Sequence, residues 1–157
     1  MNATIRRLRE RMNAHDADGM AALFAPDYRS HQPAHPNRGF AGHEQVATNW
    51  SEMFRGVPDL SAEVVSEVTV GTTCWAEWVW HGHHIDGSPF EMRGTTIVEL
   101  VHDGLIAEMR LYMEPVERHG PAIDDAVRHL AEPSPPAIQE ATTRGDQTVN
   151  SPTSAPS

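Results

Sequence analysis

Between residues 73 and 116 the chain alternates apolar and polar side chains almost without a break. "TCWAEWVWHG", "PFEMRGTTIVELV" and "LIAEMRLYMEPV" each read as a strand with one dry and one wet face, and "HDG" joins the last two as a hairpin turn. "LSAEVVSEVTV" reads as a further strand ahead of them. A sheet with one dry face must bury it against another layer. That layer has to come from the front of the chain. Residues 3–24 read as helix, interrupted at Gly19, with Ile5, Leu8 and Met12 on one face; "MAALFA" continues as a second short helix ending before Pro26. "DYRSHQP" is a short extended segment and "HPNRGFAG" a turn-rich loop. "HEQVATNWSEMFRG" is a helix carrying Val46, Trp50, Met53 and Phe54 on one side. Helices followed by antiparallel hairpins imply an α+β fold, a curved sheet with helices on one face.

A length of 157 residues suits one domain with a sizeable core. The formal net charge of −10 disfavours nucleic acid and anionic membranes, which need clustered Lys and Arg. No apolar run approaches the ~20 residues of a membrane span, and "MNATIRRLRER" is not followed by the apolar core of a signal peptide. Cys74 is the single cysteine, which fits a reducing compartment. A cytoplasmic protein is expected. "GPAIDDAVRHLAE" reads as a C-terminal helix with Pro121 at its first position and a stripe of Ile123, Val127 and Leu130. Residues 133–157 hold five of the twelve prolines and no aromatic residue, so a disordered tail is expected after a domain spanning 1–132.

The dry faces of the last three strands supply Cys74, Ala76, Trp78, Trp80, Phe90, Met92, Val98, Leu100, Met109, Leu111 and Met113. Thr96 is the one side-chain polar group on the dry face of its strand. Such a Trp- and Met-rich surface is either an ordinary core or the wall of an apolar pocket. Arg93 and Arg110 fall on the outer face with Glu91, Glu99, Tyr112 and Glu114, a solvated or dimer-facing salt-bridge surface.

The series "HDADGMAALFAPDYRSHQP", "GHEQVATNW…MFRGVPDLSAEVV", "AEWVWHGHH" and "FEMRGTTIVELVHDGLIAEMRLYME" resembles the SnoaL-like polyketide cyclase family, within the superfamily of nuclear transport factor 2 and ketosteroid isomerase. The resemblance spans roughly residues 5 to 116. It implies a cone-shaped curved antiparallel sheet wrapped around N-terminal helices, an apolar pocket inside, no cofactor, and a homodimer formed through the outer sheet face. It also implies an aspartate on the last strand as acid/base, yet that position holds Leu111, which exchanges no proton. A second polar position of the family falls on Thr96, and the isomerase base on Gln32. The steroid isomerases' tyrosine falls near Leu8. Thr and Gln hydrogen-bond but do not titrate near neutral pH.

His31 in "DYRSHQP" then becomes the candidate catalytic base at the pocket mouth, since an imidazole titrates near ~6.5. Gln32, Trp50, Phe54, Trp78, Trp80, Phe90, Met92, Thr96, Met109, Leu111 and Met113 are the expected substrate contacts. "HGHHIDG" carries metal-ligand residue types but sits in a hairpin turn, so no metal site is expected. Asp59 in "VPDL" is expected to cap or form a turn. The function expected from the resemblance is binding of a hydrophobic, polyketide-like biosynthetic intermediate and promotion of its cyclisation or acid/base rearrangement, without the usual aspartate. The alternatives are a non-catalytic protein that binds an apolar ligand and a protein–protein module.

Overall fold

A computed structural model describes residues 1–133. The expected tail at 134–157 lies outside them. The first of two units spans Met1–Arg118. It opens with helix α1 (Ala3–Asn13), capped by the Asn2 side chain on the amides of Thr4 and Ile5. Ile5, Leu8 and Met12 face the core as their spacing requires.

The break in the front helix comes earlier than Gly19. The chain turns at His15, which adopts φ 54°, and Asp16 caps the short helix α2 (Ala17–Ala21) by accepting from the Gly19 amide. Gly19 lies inside α2 because a Cβ there would collide with the Asp16 carboxylate. Strand β1 (Phe24–His31) starts where a helix was expected to end, and it contains Pro26. The register between β1 and its neighbour shifts between Phe24 and Arg29, so the missing N–H of Pro26 falls within an irregularity. A 3₁₀ turn (Pro36–Arg38) and the two-residue strand β2 (Phe40–Ala41) occupy the turn-rich loop. Helix α3 runs His43–Gly56.

Strands β3 (Ser61–Val70), β4 (Thr73–His83), β5 (Pro89–Leu100) and β6 (Ile106–Pro115) follow. They complete a six-stranded sheet in the order β2-β1-β6-β5-β4-β3. Every pairing is antiparallel except β1 with β6, which is parallel. The helices bury the sheet's dry face, with Cys74, Ala76, Trp78, Trp80, Val98, Met109 and Met113 in one cluster with Ile5, Leu8, Met12 and Met20. Side-chain bonds fasten the layers. Asn13 holds both the amide and the carbonyl of Ala62 at the start of β3, and Thr4 donates to the Gly104 carbonyl in the β5–β6 turn at 2.8 Å.

The outer face is less wet than its alternation suggests. Ile97 is buried, lying in register between Trp75 on β4 and Arg110 on β6. In the second unit, helix α4 (Ile123–Ala131) begins after Ala122, so Pro121 precedes the helix instead of opening it. Ile123, Val127 and Leu130 on α4 are exposed. Among the described residues no helix is long and apolar enough to cross a membrane.

Candidate functional site

Within the first unit the helices and the sheet do not close completely. A cavity of about 280 Å³ remains between them, at the small end of the roughly 300–1,000 Å³ usual for small-molecule sites. Strand alternation builds its sheet wall. Trp78 and Trp80 come from β4, Met92 and Thr96 from β5, and Met109, Leu111 and Met113 from β6. Helix α3 contributes Val46, Asn49, Trp50 and Met53, spaced to share one face. Leu8, Met12 and Met20 come from α1 and α2.

The first strand sorts its residues by parity. Tyr28 and Ser30 are buried and, with Gln32 just beyond β1, line the cavity, while Arg29 and His31 are exposed. His31 is therefore not in the cavity. Its Nε2 lies 3.8 Å from a Glu108 carboxylate oxygen, and the two residues share a surface groove with Pro33, Pro36 and Arg110. The candidate base therefore stands in the groove beside the cavity, on the face of β1 opposite Tyr28 and Ser30. Gln32 lines both the cavity and the groove.

Two other expected contacts fall outside the lining. Phe54 stacks on His15, with ring centroids 4.7 Å apart, and tilts against Trp50. Phe90 meets the edge of His84 at 5.5 Å. The other nine expected contacts line the cavity. Leu8, Met12, Val46 and Met53 were read only as helix faces, and sequence reasoning missed Met20, Phe24, Tyr28, Ser30, Arg38, Phe40 and Asn49. The alternation of "DYRSHQP" was the available signal for Tyr28 and Ser30. Arg38 and Phe40 come from a segment without periodicity.

Polar groups in the wall are few. Thr96 is 2% exposed, and its Oγ1 accepts the indole N–H of Trp78 at 2.9 Å. Leu111 is its cross-strand partner, so the two positions singled out in the sequence stand side by side. Trp80 is 7% exposed and its Nε1 has no hydrogen-bond partner among the described residues. Its ring meets Trp50 edge-on at 5.2 Å, a pairing worth about 0.5–1.5 kcal/mol beyond area burial. Burial pushes the Tyr28 phenol up to about 12, the Ser30 hydroxyl partly opposing this and the Glu108 charge adding to it.

Among the described residues, no Asp, Glu, His, Lys or Cys lines the cavity. Tyr28 and Arg38 are its ionisable members, and the raised Tyr28 phenol keeps its proton at neutral pH. The histidines of "HGHHIDG" have structural partners: His81 faces Glu63 on β3, and His84 packs on Phe90. Asp59 accepts from the His83 amide at 2.6 Å and pairs with its Nδ1 at 2.7 Å. No group of three potential metal ligands occurs among the described residues.

A SnoaL-like domain model matches residues 5–109. Solved structures share the fold. A hypothetical protein with a ketosteroid isomerase-like fold from Catenulispora acidiphila DSM 44928, in complex with trimethylamine, is 15% identical with a TM-score of 0.63, over 70% of this chain and 84% of that one. The protein RV0760c from Mycobacterium tuberculosis, in complex with estradiol-17β-hemisuccinate, is 22% identical with a TM-score of 0.60, over 69% and 89%. The 96-104 loop truncation variant of IdmH is 29% identical with a TM-score of 0.61, over 71% and 90%. No curated protein matches the chain.

Proposed function

The chain belongs to the SnoaL-like domain family, and from that premise we propose that it binds a hydrophobic, polyketide-like intermediate in the cavity and promotes its cyclisation by confinement. The observation carrying this reading is the make-up of the wall: mostly large apolar side chains, and among the described residues no Asp, Glu, His, Lys or Cys. A flexible chain held folded in a shaped apolar space loses most of the entropic cost of ring closure before reaction. Acid/base rearrangement through His31 is not favoured, because that imidazole lies outside the cavity. The steroid ester on RV0760c supports a hydrophobic ligand for this fold.

The test is native mass spectrometry of the protein purified from its own cells. Wild type is expected to retain a small hydrophobic molecule that Leu111→Trp, which fills the cavity, releases. Ligand-free protein in both would overturn the reading. With the open-chain precursor of that molecule, ring closure is expected to outpace the protein-free reaction, stay constant from pH 6 to 8, and survive His31→Ala. A sigmoid rate profile that His31→Ala abolishes would restore the imidazole as base. The same wall composition also suits a non-catalytic binding protein, the outcome if ring closure runs no faster with protein than without.

The outer sheet face is the proposed homodimer surface. Trp75 and Tyr112 stand exposed there at 47% and 43%, around buried Ile97. Sedimentation equilibrium is expected to give twice the 17.4 kDa chain mass, falling to the monomer in Trp75→Glu.

A further inference from the structure

The polar groups at the open end of the cavity differ in kind from the rest of the surface. The chain carries 22 acidic side chains, yet among the described residues none lines the cavity, and one guanidinium, Arg38, does. Arg29, Arg93 and Arg110 each hold a carboxylate within 3.5 Å. Arg38, at the end of the exposed 3₁₀ turn, holds none among the described residues. Asn49 faces the same space from α3. Its Oδ1 accepts from Gln45 Nε2 at 2.8 Å, which turns its amide N–H₂ to the other side as a donor. Deeper in the wall, the buried Trp80 indole N–H has no acceptor. The charge in the lining is thus of one sign, cationic, with side-chain amides beside it able to donate.

An apolar body with a guanidinium and no carboxylate at its rim complements a molecule that is hydrophobic along its length and anionic at one end. We infer that the ligand is a hydrophobic organic anion, its apolar body among the Trp and Met side chains and its anionic head on Arg38 and Asn49 at the mouth. The inference rests on the cavity-binding reading above and names the class of molecule that reading leaves open. Arg suits the task because its planar fork donates two parallel bonds to a carboxylate or sulfonate. The head remains near water, so its charge is not stripped of solvent, and the contact contributes without the desolvation penalty of a buried ion.

Two fluorescent probes with one aromatic skeleton separate the contributions. 1-Anilinonaphthalene-8-sulfonate carries an anionic head, and N-phenyl-1-naphthylamine lacks it. Wild type is expected to bind the sulfonate about tenfold more tightly, the size of a charge-assisted hydrogen bond at a partly exposed site. Arg38→Gln is expected to remove that preference and leave the neutral probe's affinity unchanged. Arg38 is exposed, so this substitution leaves the fold intact. Equal binding of both probes to wild type, or a preference that survives Arg38→Gln, overturns the inference and leaves the cavity reading standing. Loss of both probes in Leu111→Trp (or in Met53→Trp, from the helix side, if the first does not fold) places them in the cavity. Retention of both in a folded cavity-filling variant, or binding of neither to wild type, overturns the cavity reading and this inference with it.

Discussion

Thr96 shows how one hydroxyl can look catalytic in a sequence and serve packing in the structure. It is the polar exception on a dry strand face, and the family resemblance puts a titratable group at its position. Its oxygen instead satisfies Trp78. The register explains the reach. Trp78 stands opposite Gly94, and Thr96 lies two residues further along β5, on the diagonal. Thr96→Val keeps the shape and removes the acceptor, orphaning a buried N–H. The expected loss is about 1–3 kcal/mol of unfolding free energy, measured by urea denaturation. A change below about 0.5 kcal/mol would mean that the indole finds another acceptor. The hydroxyl was legible from alternation, but its partner was not. The partner depends on which rotamer a tryptophan two positions off the direct pair adopts.

Strands were more legible than the helices and turns between them. β4 alternates strictly, and β5 and β6 keep enough of the pattern for their cavity-facing residues to follow from parity. The early break at His15 gave no such periodic signal: it rests on a positive φ at one residue, which histidine favours only as a weak tendency. The positive φ in β5 was equally silent. Gly94 has φ 155°, and a Cβ there would run into the Tyr112 carbonyl of β6. The sheet's two central strands approach closely at that point. Gly94→Ala is expected to cost about 3 kcal/mol or more from strain and collision together, read as a drop in the urea midpoint with an unchanged slope. The β3–β4 end carries a pH-dependent contact. Hydrogen bonds from the His83 side chain and amide hold the Asp59 carboxyl below its usual range. A depressed folded pKa contributes stability above the unfolded value of about 3.9 and loses it as pH falls through the folded value. Between pH 5 and 2, wild type is therefore expected to lose more stability than Asp59→Asn. Parallel curves would show that the contact adds nothing.

At the scale of the whole unit Met1–Arg118, alternation found the cavity's walls, and only the family resemblance implied the space between them. Trp78, Trp80, Met92, Met109, Leu111 and Met113 were legible as one inward surface, and the same list describes a packed core equally well. Whether facing layers meet depends on helix placement, here fixed by Asn13 on Ala62 and Thr4 on Gly104, contacts of 49 and 100 residues' separation that no local pattern encodes. The gap has an energetic consequence. Large apolar side chains around an unfilled space forgo contacts that a close-packed interior would supply. A ligand that fills the space binds the folded state alone, and stability must rise by mass action. For N-phenyl-1-naphthylamine at ten times its dissociation constant, the gain is about 1.4 kcal/mol, or roughly 5 °C in a domain of this size. Differential scanning calorimetry should show the midpoint climbing with the logarithm of probe concentration in wild type. Leu111→Trp, with its cavity already occupied by indole, should melt at a temperature the probe does not change. A midpoint in wild type that ignores the probe would mean that helices and sheet close on each other in solution, leaving no internal site for a ligand.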